Sequence, residues 1–326
     1  MYRSGLKVCP KNSKIHYNIA KLAQQSQETN NMAMKYHHVL SSDLEAIRKT
    51  TAFDWREDKN ELRFDPETSA YSFINAESFV VMLYRTSIYL WPEYEHALNN
   101  LANVLRKRPQ KYFHLEAKDL LTRALKINSK FSAAWMNLGI VQAQLDELEE
   151  AEASYHTAIS LRKNFYPDCH FNLGTLYLKL KNKKEESLSE FTLSILQNEH
   201  HFSAWSNKVI LLDELNRLEE AQQAAENAKF IFPNKAEFYF HLGNILGKQG
   251  EFVKAEDNYR QAIKIINSET SPKHPKTKSL YYSNLGVLYH RWKNEDLAIQ
   301  NYKHALILDN NNYNARDNLD RLLKSN

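Results

Sequence analysis

The sequence is short of glycine, cysteine, long apolar runs and charge of one sign, and each shortage removes a class of function. Seven glycines in 326 residues are too few for a dinucleotide-binding fingerprint or a phosphate-cradling loop, which spend several glycines within a few positions. No Gly-x-Ser-x-Gly elbow and no His-Glu-x-x-His helix occurs, so nucleophilic and zinc-dependent hydrolysis lose their usual frames. Cys9 and Cys169 are the only cysteines. They make neither a disulfide framework nor a cysteine zinc site, and read as small apolar packing residues. The longest apolar runs, Phe79 to Tyr84 and Val209 to Leu212, fall far short of the roughly 20 residues that cross a bilayer. Met1 to Val8 hold no apolar block of signal-peptide length, so the chain as written is expected in the cytosol. No Asn-x-Ser/Thr acceptor is present. Lys and Arg total 43 against 39 acids, a formal net charge of +4. Phosphate-backbone binding needs a clustered basic excess, so nucleic acid is not an expected partner.

What the sequence does have is 43% hydrophobic residues, enough for a sizeable core, arranged in a repeat. Trp135, Asn137, Leu138 and Gly139 are followed by Ala151, Tyr155 and Ala158. The same succession of large, small and aromatic residues returns at His170 to Gly174 with Ser187, Phe191 and Ser194, and at Trp205 with Ala221, Ala225 and Ala228. It returns again at Tyr239 to Gly243 with Ala255, Tyr259 and Ala262, and at Tyr282 to Gly286 with Ala298, Tyr302 and Ala305. Earlier copies run from Leu98 through Leu101, Ala102, Ala117, Leu121 and Ala124, and more faintly from His16 through Ile19, Ala20 and Ala23. This is the pattern of the tetratricopeptide repeat, a helical hairpin of about 34 residues. Four glycines (139, 174, 243 and 286) sit where the two helices of a hairpin touch, and Gly250 falls at a turn between helices. One hairpin cannot bury its own apolar face, so neighbours stack. The fold predicted is all-α, a tetratricopeptide-repeat right-handed superhelix (α-solenoid).

The spacing also locates the irregular parts. Residues 1–40 read as a first degenerate repeat, with Ala33 to Leu40 opening its second helix. Residues 41–79 read as an irregular insertion with at most short helices, holding Asp54, Glu57, Asp58, Glu61, Asp65 and Glu67. Paired acids such as Asp54 and Asp58 serve acid–base chemistry only inside a cleft, and here they read as a solvated loop. The array occupies residues 80–312, and residues 313–326 read as a capping helix in which Leu319 is kept and Asp320 replaces the glycine. Within the array, Leu101 to Leu138 is 37 residues and Gly243 to Gly286 is 43. The excess falls at Arg106 to Lys111 and in the polar stretch Asn267 to Lys276.

The residue before the helix-contact leucine position is asparagine in nearly every copy: Asn18, Asn100, Asn137, Asn172, Asn207, Asn284 and, in the cap, Asn318, with His241 the exception. Stacking places equivalent side chains in a row. A carboxamide both donates and accepts, so such a row holds an extended peptide backbone without reading its sequence. Asn100, Asn137, Asn172, Asn207 and Asn284 are therefore the candidate peptide-binding residues, in a resemblance to the asparagine ladder of the nucleocytoplasmic O-linked N-acetylglucosamine transferase. The competing reading is that each asparagine bonds within the repeats. Asp168 and Asp213 are groove-facing candidates for a ligand lysine or arginine, or else ordinary surface charge. The pairs His37-His38 and His200-His201 point in diverging directions on a helix and are read as solvated or capping residues rather than metal clips. No catalytic residue, metal or cofactor is expected.

Several segments are more specific than generic repeat residues: Arg3 to Pro10 with His16-Tyr17-Asn18, His96 to Leu101, Ala133 to Gln142, Tyr166 to Cys169, and Tyr289 to Trp292. They resemble the repeat region of the TMTC family, the transmembrane and tetratricopeptide-repeat-containing proteins, over roughly residues 2–40 and 80–326. The resemblance implies repeats in the endoplasmic-reticulum lumen of a membrane protein that O-mannosylates proteins from dolichyl-phosphate mannose, with cadherin-type ectodomains as acceptors. The family's acidic catalytic residues lie in a multi-spanning half that has no counterpart here, so none is carried over, and residues 41–79 depart from the family pattern. The alternative is a freestanding cytosolic repeat scaffold or adaptor.

Overall fold

The computed structural model describes residues 12–25, 62–65, 70–73, 76–180, 182–268 and 275–325. They form fifteen helices and one two-stranded hairpin, divided into two compact units at Cys169/His170. Cys9, Ala33 to Leu40, Asp54, Asp58 and His37-His38 lie outside the described residues.

The first unit begins with α1 (Ser13–Gln25), the antiparallel hairpin β1 (Leu62–Asp65) and β2 (Ala70–Phe73), and α2 (Ala76–Leu90). The strands pair with Leu62 opposite Phe73 and Asp65 opposite Ala70. That pairing corrects the expectation of at most short helices across residues 41–79. The helical partner of α1 is α2. The Ser13 hydroxyl lies 2.9 Å from the Ser87 carbonyl, and the Ser87 hydroxyl lies 3.0 Å from the Ser13 carbonyl. Next come α3 (Glu95–Leu105) and α4 (Lys111–Ile127), then α5 (Ser132–Gln144) and α6 (Leu148–Leu161), before α7 (Pro167–Lys179) opens at the boundary. The core of this unit is Ile19, Phe79, Tyr84, Leu98, Leu101, Leu121 and their neighbours.

The second unit continues with α8 (Lys184–Gln197), α9 (Phe202–Glu214), α10 (Leu218–Ile231), α11 (Ala236–Gln249), α12 (Phe252–Ser268), α13 (Pro275–Arg291), α14 (Glu295–Leu308) and the terminal α15 (Tyr313–Ser325). The polar stretch is shorter than the composition suggests, since helix persists to Ser268 and resumes at Pro275. Proline suits that first helical position because its missing N–H is unpaired there in any helix. Phe191, Phe238, Tyr289 and Tyr302 are among the largest fully buried side chains of this unit. On α15, Ala315, Leu319 and Leu322 are buried against it.

Both units repeat one local design. In four pairs the second helix opens on two acids: Glu149 and Glu150, Glu185 and Glu186, Glu219 and Glu220, Glu295 and Asp296. They complement the positive end of the helix dipole. The turn inside five of the pairs carries one left-handed residue, at Asp146, Asn182, Asn216, Gly250 (φ 84°) and Lys293. At four of these turns an N–H reaches back five residues at 2.9 Å: Glu147 to Gln142, Arg217 to Leu212, Glu251 to Leu246 and Asn294 to Tyr289. That bond satisfies a carbonyl the ended helix leaves open. The close contact between paired helices is steric in origin. A Cβ on Gly139 would lie 2.7 Å from the Tyr155 ring, and one on Gly174 would lie 2.8 Å from Phe191.

Candidate peptide-binding groove

The first helix of each pair projects its asparagines, and the structure sorts the five candidates by what they touch. In the first unit, Asn137 is buried and donates to the Asn99 carboxamide oxygen at 2.9 Å. Asn99 in turn donates to Asn100 at 3.1 Å. Asn100 donates to the Tyr17 hydroxyl at 3.2 Å and lies 3.5 Å from that of Tyr84. Burial raises the pKa of both tyrosines, and the Asn100 bond opposes the rise. Here the carboxamides tie one first helix to the next. Asn99 was missing from the sequence-level set, although the doubled Asn99-Asn100 is a signal for it.

In the second unit Asn172 and Asn207 are half-buried and carry no hydrogen bond to any described residue. Asn284 donates to the Asn244 carboxamide oxygen at 3.0 Å, and the Tyr259 hydroxyl donates to that same oxygen at 2.5 Å. Burial pushes the Tyr259 hydroxyl pKa up strongly, with the Arg291 charge acting in the opposite direction. Asn244 stands one residue past the helix-contact glycine position, where an earlier copy has Asn103 and others have Ile140, Thr175, Ile210 and Val287, so the ladder argument does not find it. His241, which breaks the sequence series, stands 3.8 Å from Glu237. The His241 hydrogen bond, ahead of that from Ser206, holds the Glu237 carboxyl below its ordinary pKa.

Asn244 and Asn284 line a cavity of about 310 Å³ built by α9, α11 and α13 together with Tyr259 of α12, with Asp213, Lys248 and Arg291 as its charged groups. Gly247 and Leu288 also line it. A Cβ on Gly247 would lie 3.0 Å from Leu288, so the missing side chain lets α13 come close to α11. Asp213 faces this groove but is paired with the chain's own Lys248 at 2.6 Å. Asp168 is exposed in the first turn of α7. His201 caps α9, accepting from the Ala204 N–H at 3.2 Å, and His200 is exposed. Cys169 is buried, and its thiol lies 3.6 Å from the Tyr155 carbonyl oxygen. Among the described residues no group of three or more His, Cys, Asp or Glu side chains could hold a metal ion. No described helix is long and apolar enough to cross a membrane.

These features define an α-solenoid of tetratricopeptide repeats. Family models described as tetratricopeptide repeat match residues 235–310 and 113–164. Two solved structures share the fold: Pseudomonas aeruginosa pilF, with a TM-score of 0.54 at 15% identity over 71% of this chain and 98% of that one, and the Cut9–Hcn1 assembly of the APC/C, with 0.51 at 14% over 74% and 45%. Among curated proteins, the human protein O-mannosyl-transferase TMTC3 is 24% identical over 275 residues, covering 81% of this chain and 29% of the relative. Its mouse counterpart is 26% identical with the same coverage. The Caenorhabditis elegans protein O-mannosyl-transferase F38B6.6 is 29% identical over 117 residues, 36% of this chain and 16% of that protein. The chain fits the tetratricopeptide-repeat region of the TMTC family. It spans less than a third of the length of these curated relatives.

Proposed function

We propose that this chain is the partner-engaging repeat region of a protein O-mannosyl-transferase system, holding an extended segment of an acceptor protein in grooves lined by its first helices. The observation that carries the reading is the alignment of 81% of the chain with relatives bearing that name. It is supported by half-buried carboxamides at Asn172 and Asn207 that have no hydrogen-bond partner among the described residues. Asn100, Asn137 and Asn284 belong to the same row, but their internal bonds assign much of their work to joining helices. Within the family the segments quoted above most resemble the fourth vertebrate paralogue, which adds an endoplasmic-reticulum location and cadherin-type acceptors to the proposal. Transfer chemistry is assigned to parts of the relatives outside the aligned region, and this chain supplies none of it.

The test is binding of the full chain to extended strand peptides from a cadherin-type ectodomain, measured by fluorescence anisotropy. Replacing Asn172 and Asn207 together by Ala removes two bidentate backbone contacts, for an expected loss of about tenfold in affinity. The circular-dichroism melt should be unchanged, because neither side chain holds the fold. Affinity unmoved by the double substitution would remove the two asparagines from the binding surface. Absence of binding to any extended peptide would end the reading.

A further inference from the structure

The second helices of the second unit carry an exposed row that neither the core nor the groove of the first helices uses. Phe191, Ala225, Tyr259 and Tyr302 mark the position that faces the paired helix, and five residues beyond them stand Leu196, Phe230, Lys264 and Ile307. The interval is the same in α8, α10, α12 and α14, so the four residues occupy an equivalent face of successive helices. Phe230 at 86%, Ile307 at 80% and Leu196 at 76% are the three most exposed large hydrophobic side chains among the described residues. Leu193, one turn earlier on α8, is exposed as well. The repeat does not require an apolar residue at this point. Lys126 and Ser160 stand there in α4 and α6, five residues beyond Leu121 and Tyr155.

The charge around the row is mostly of one sign. From one turn before the row position to the end of each helix, the charged side chains are Lys229, Arg260, Lys264 and Lys303 against a single acid, Glu226, with His304 beside Lys303. Arg260 is held by Glu256 at 2.8 Å, and Lys229 lies 5.4 Å over the Tyr239 ring. Lys264 and Lys303 are exposed and have no ion-pair partner among the described residues.

Spacing and charge together select what covers such a row. Stacked helices stand about 10 Å apart, and exposed Asn227, Gln261 and Lys264 lie among the apolar tips. The tips therefore do not merge into the continuous, charge-depleted centre that a protein interface closes over. A lipid surface makes no such demand. Each apolar tip enters the boundary between headgroups and acyl chains separately, while lysine stems lie along it and carry their charge to the phosphates. The cationic excess favours anionic headgroups.

We infer that this face of α8, α10, α12 and α14 docks on an anionic lipid surface, with Leu196, Phe230 and Ile307 entering it and Lys229, Lys264 and Lys303 pairing its headgroups. The inference is independent of the peptide-holding role proposed above, which uses the first helices.

The test is co-sedimentation of the full chain with vesicles of phosphatidylcholine, alone or mixed with phosphatidylserine. The chain should bind the mixed vesicles more tightly, and added salt should reduce the difference. Phe230→Ser should weaken binding to the mixed vesicles about tenfold, and adding Leu196→Ser and Ile307→Ser should abolish it. Lys264→Gln and Lys303→Gln should each weaken binding to the mixed vesicles about fivefold and leave binding to phosphatidylcholine unchanged. Melts and affinities for extended peptides should not move in any of these variants, because the exposed side chains neither hold the fold nor belong to the first helices. In Phe230→Trp, brominated lipid should quench more tryptophan emission than in the parent chain. Absence of binding to either vesicle, or binding undiminished in the triple serine variant, overturns the inference. Self-association of the parent chain in sedimentation velocity, lost in the triple variant and unaccompanied by vesicle binding, overturns it too and makes the row a contact between copies.

Discussion

At the scale of single residues, two equivalent tyrosines show how position alters energetics. Tyr259 and Tyr302 fill the same place in successive pairs, and both are almost fully buried. The Tyr259 hydroxyl bonds Asn244. The Tyr302 hydroxyl is buried with no hydrogen-bond partner among the described residues, and fifteen residues before it stands Val287 where Tyr259 has Asn244. An unpaired buried hydroxyl costs stability, whereas removing half of a made bond strands the other half. Tyr302→Phe should therefore be neutral or raise stability by about 1 kcal/mol, and Tyr259→Phe should lower it by about 1 kcal/mol, in urea unfolding. Burial raises the Tyr302 pKa from 10.0 to about 12. Between those values the unfolded tyrosine has lost a proton that the folded one keeps, so its contribution is complete below pH 10 and is lost as pH rises toward 12. Tyr302→Phe should flatten that alkaline decline. An unchanged slope would place the lost stability elsewhere.

At the scale of elements, the helix pairs are matched by volume. Gly139, Gly174, Gly243 and Gly286 face Tyr155, Phe191, Tyr259 and Tyr302. In α9 and α10 the trade is reversed: Val209 stands at the glycine position and Ala225 at the aromatic one, both fully buried. Val209→Gly alone should open a void and Ala225→Tyr alone should overpack, each costing about 1–3 kcal/mol. Together they recreate the arrangement of the neighbouring pairs, so a double-mutant cycle should show favourable coupling above about 1 kcal/mol. Additive losses would mean that the contact tolerates either volume independently. This trade was legible in the sequence, because size at each position repeats with the helical-hairpin period. The β1–β2 hairpin was not: the stretch around it lacks the repeat, and strand pairing depends on partners that no local pattern announces. Nor was the extent of α12 and α13, since Ser, Thr, Pro and Lys near a helix end suit a cap as well as a loop.

At the scale of the whole molecule, the row of asparagines could be read from the sequence but its division of labour could not. Asn137 and Asn172 sit in near-identical local sequence, Asn-Leu-Gly in each. One is buried against Asn99 and the other carries no hydrogen bond to any described residue. The difference comes from what the adjoining helix offers, Asn99 in one case, which is a property of stacking. The groove of α9, α11 and α13 was half-legible, through Asn284 and Asp213. Arg291 and Asn244 enter it only because the first helices lie side by side.

The most direct measurement follows the side-chain carboxamide resonances of the full chain by NMR as an extended peptide is added. The account predicts that Asn172, Asn207, Asn244 and Asn284 shift and saturate together, while Asn99 and Asn137, already bonded to each other, stay in place. Shifts confined to Asn99 and Asn137, or to residues outside the first helices with those four unmoved, would contradict it.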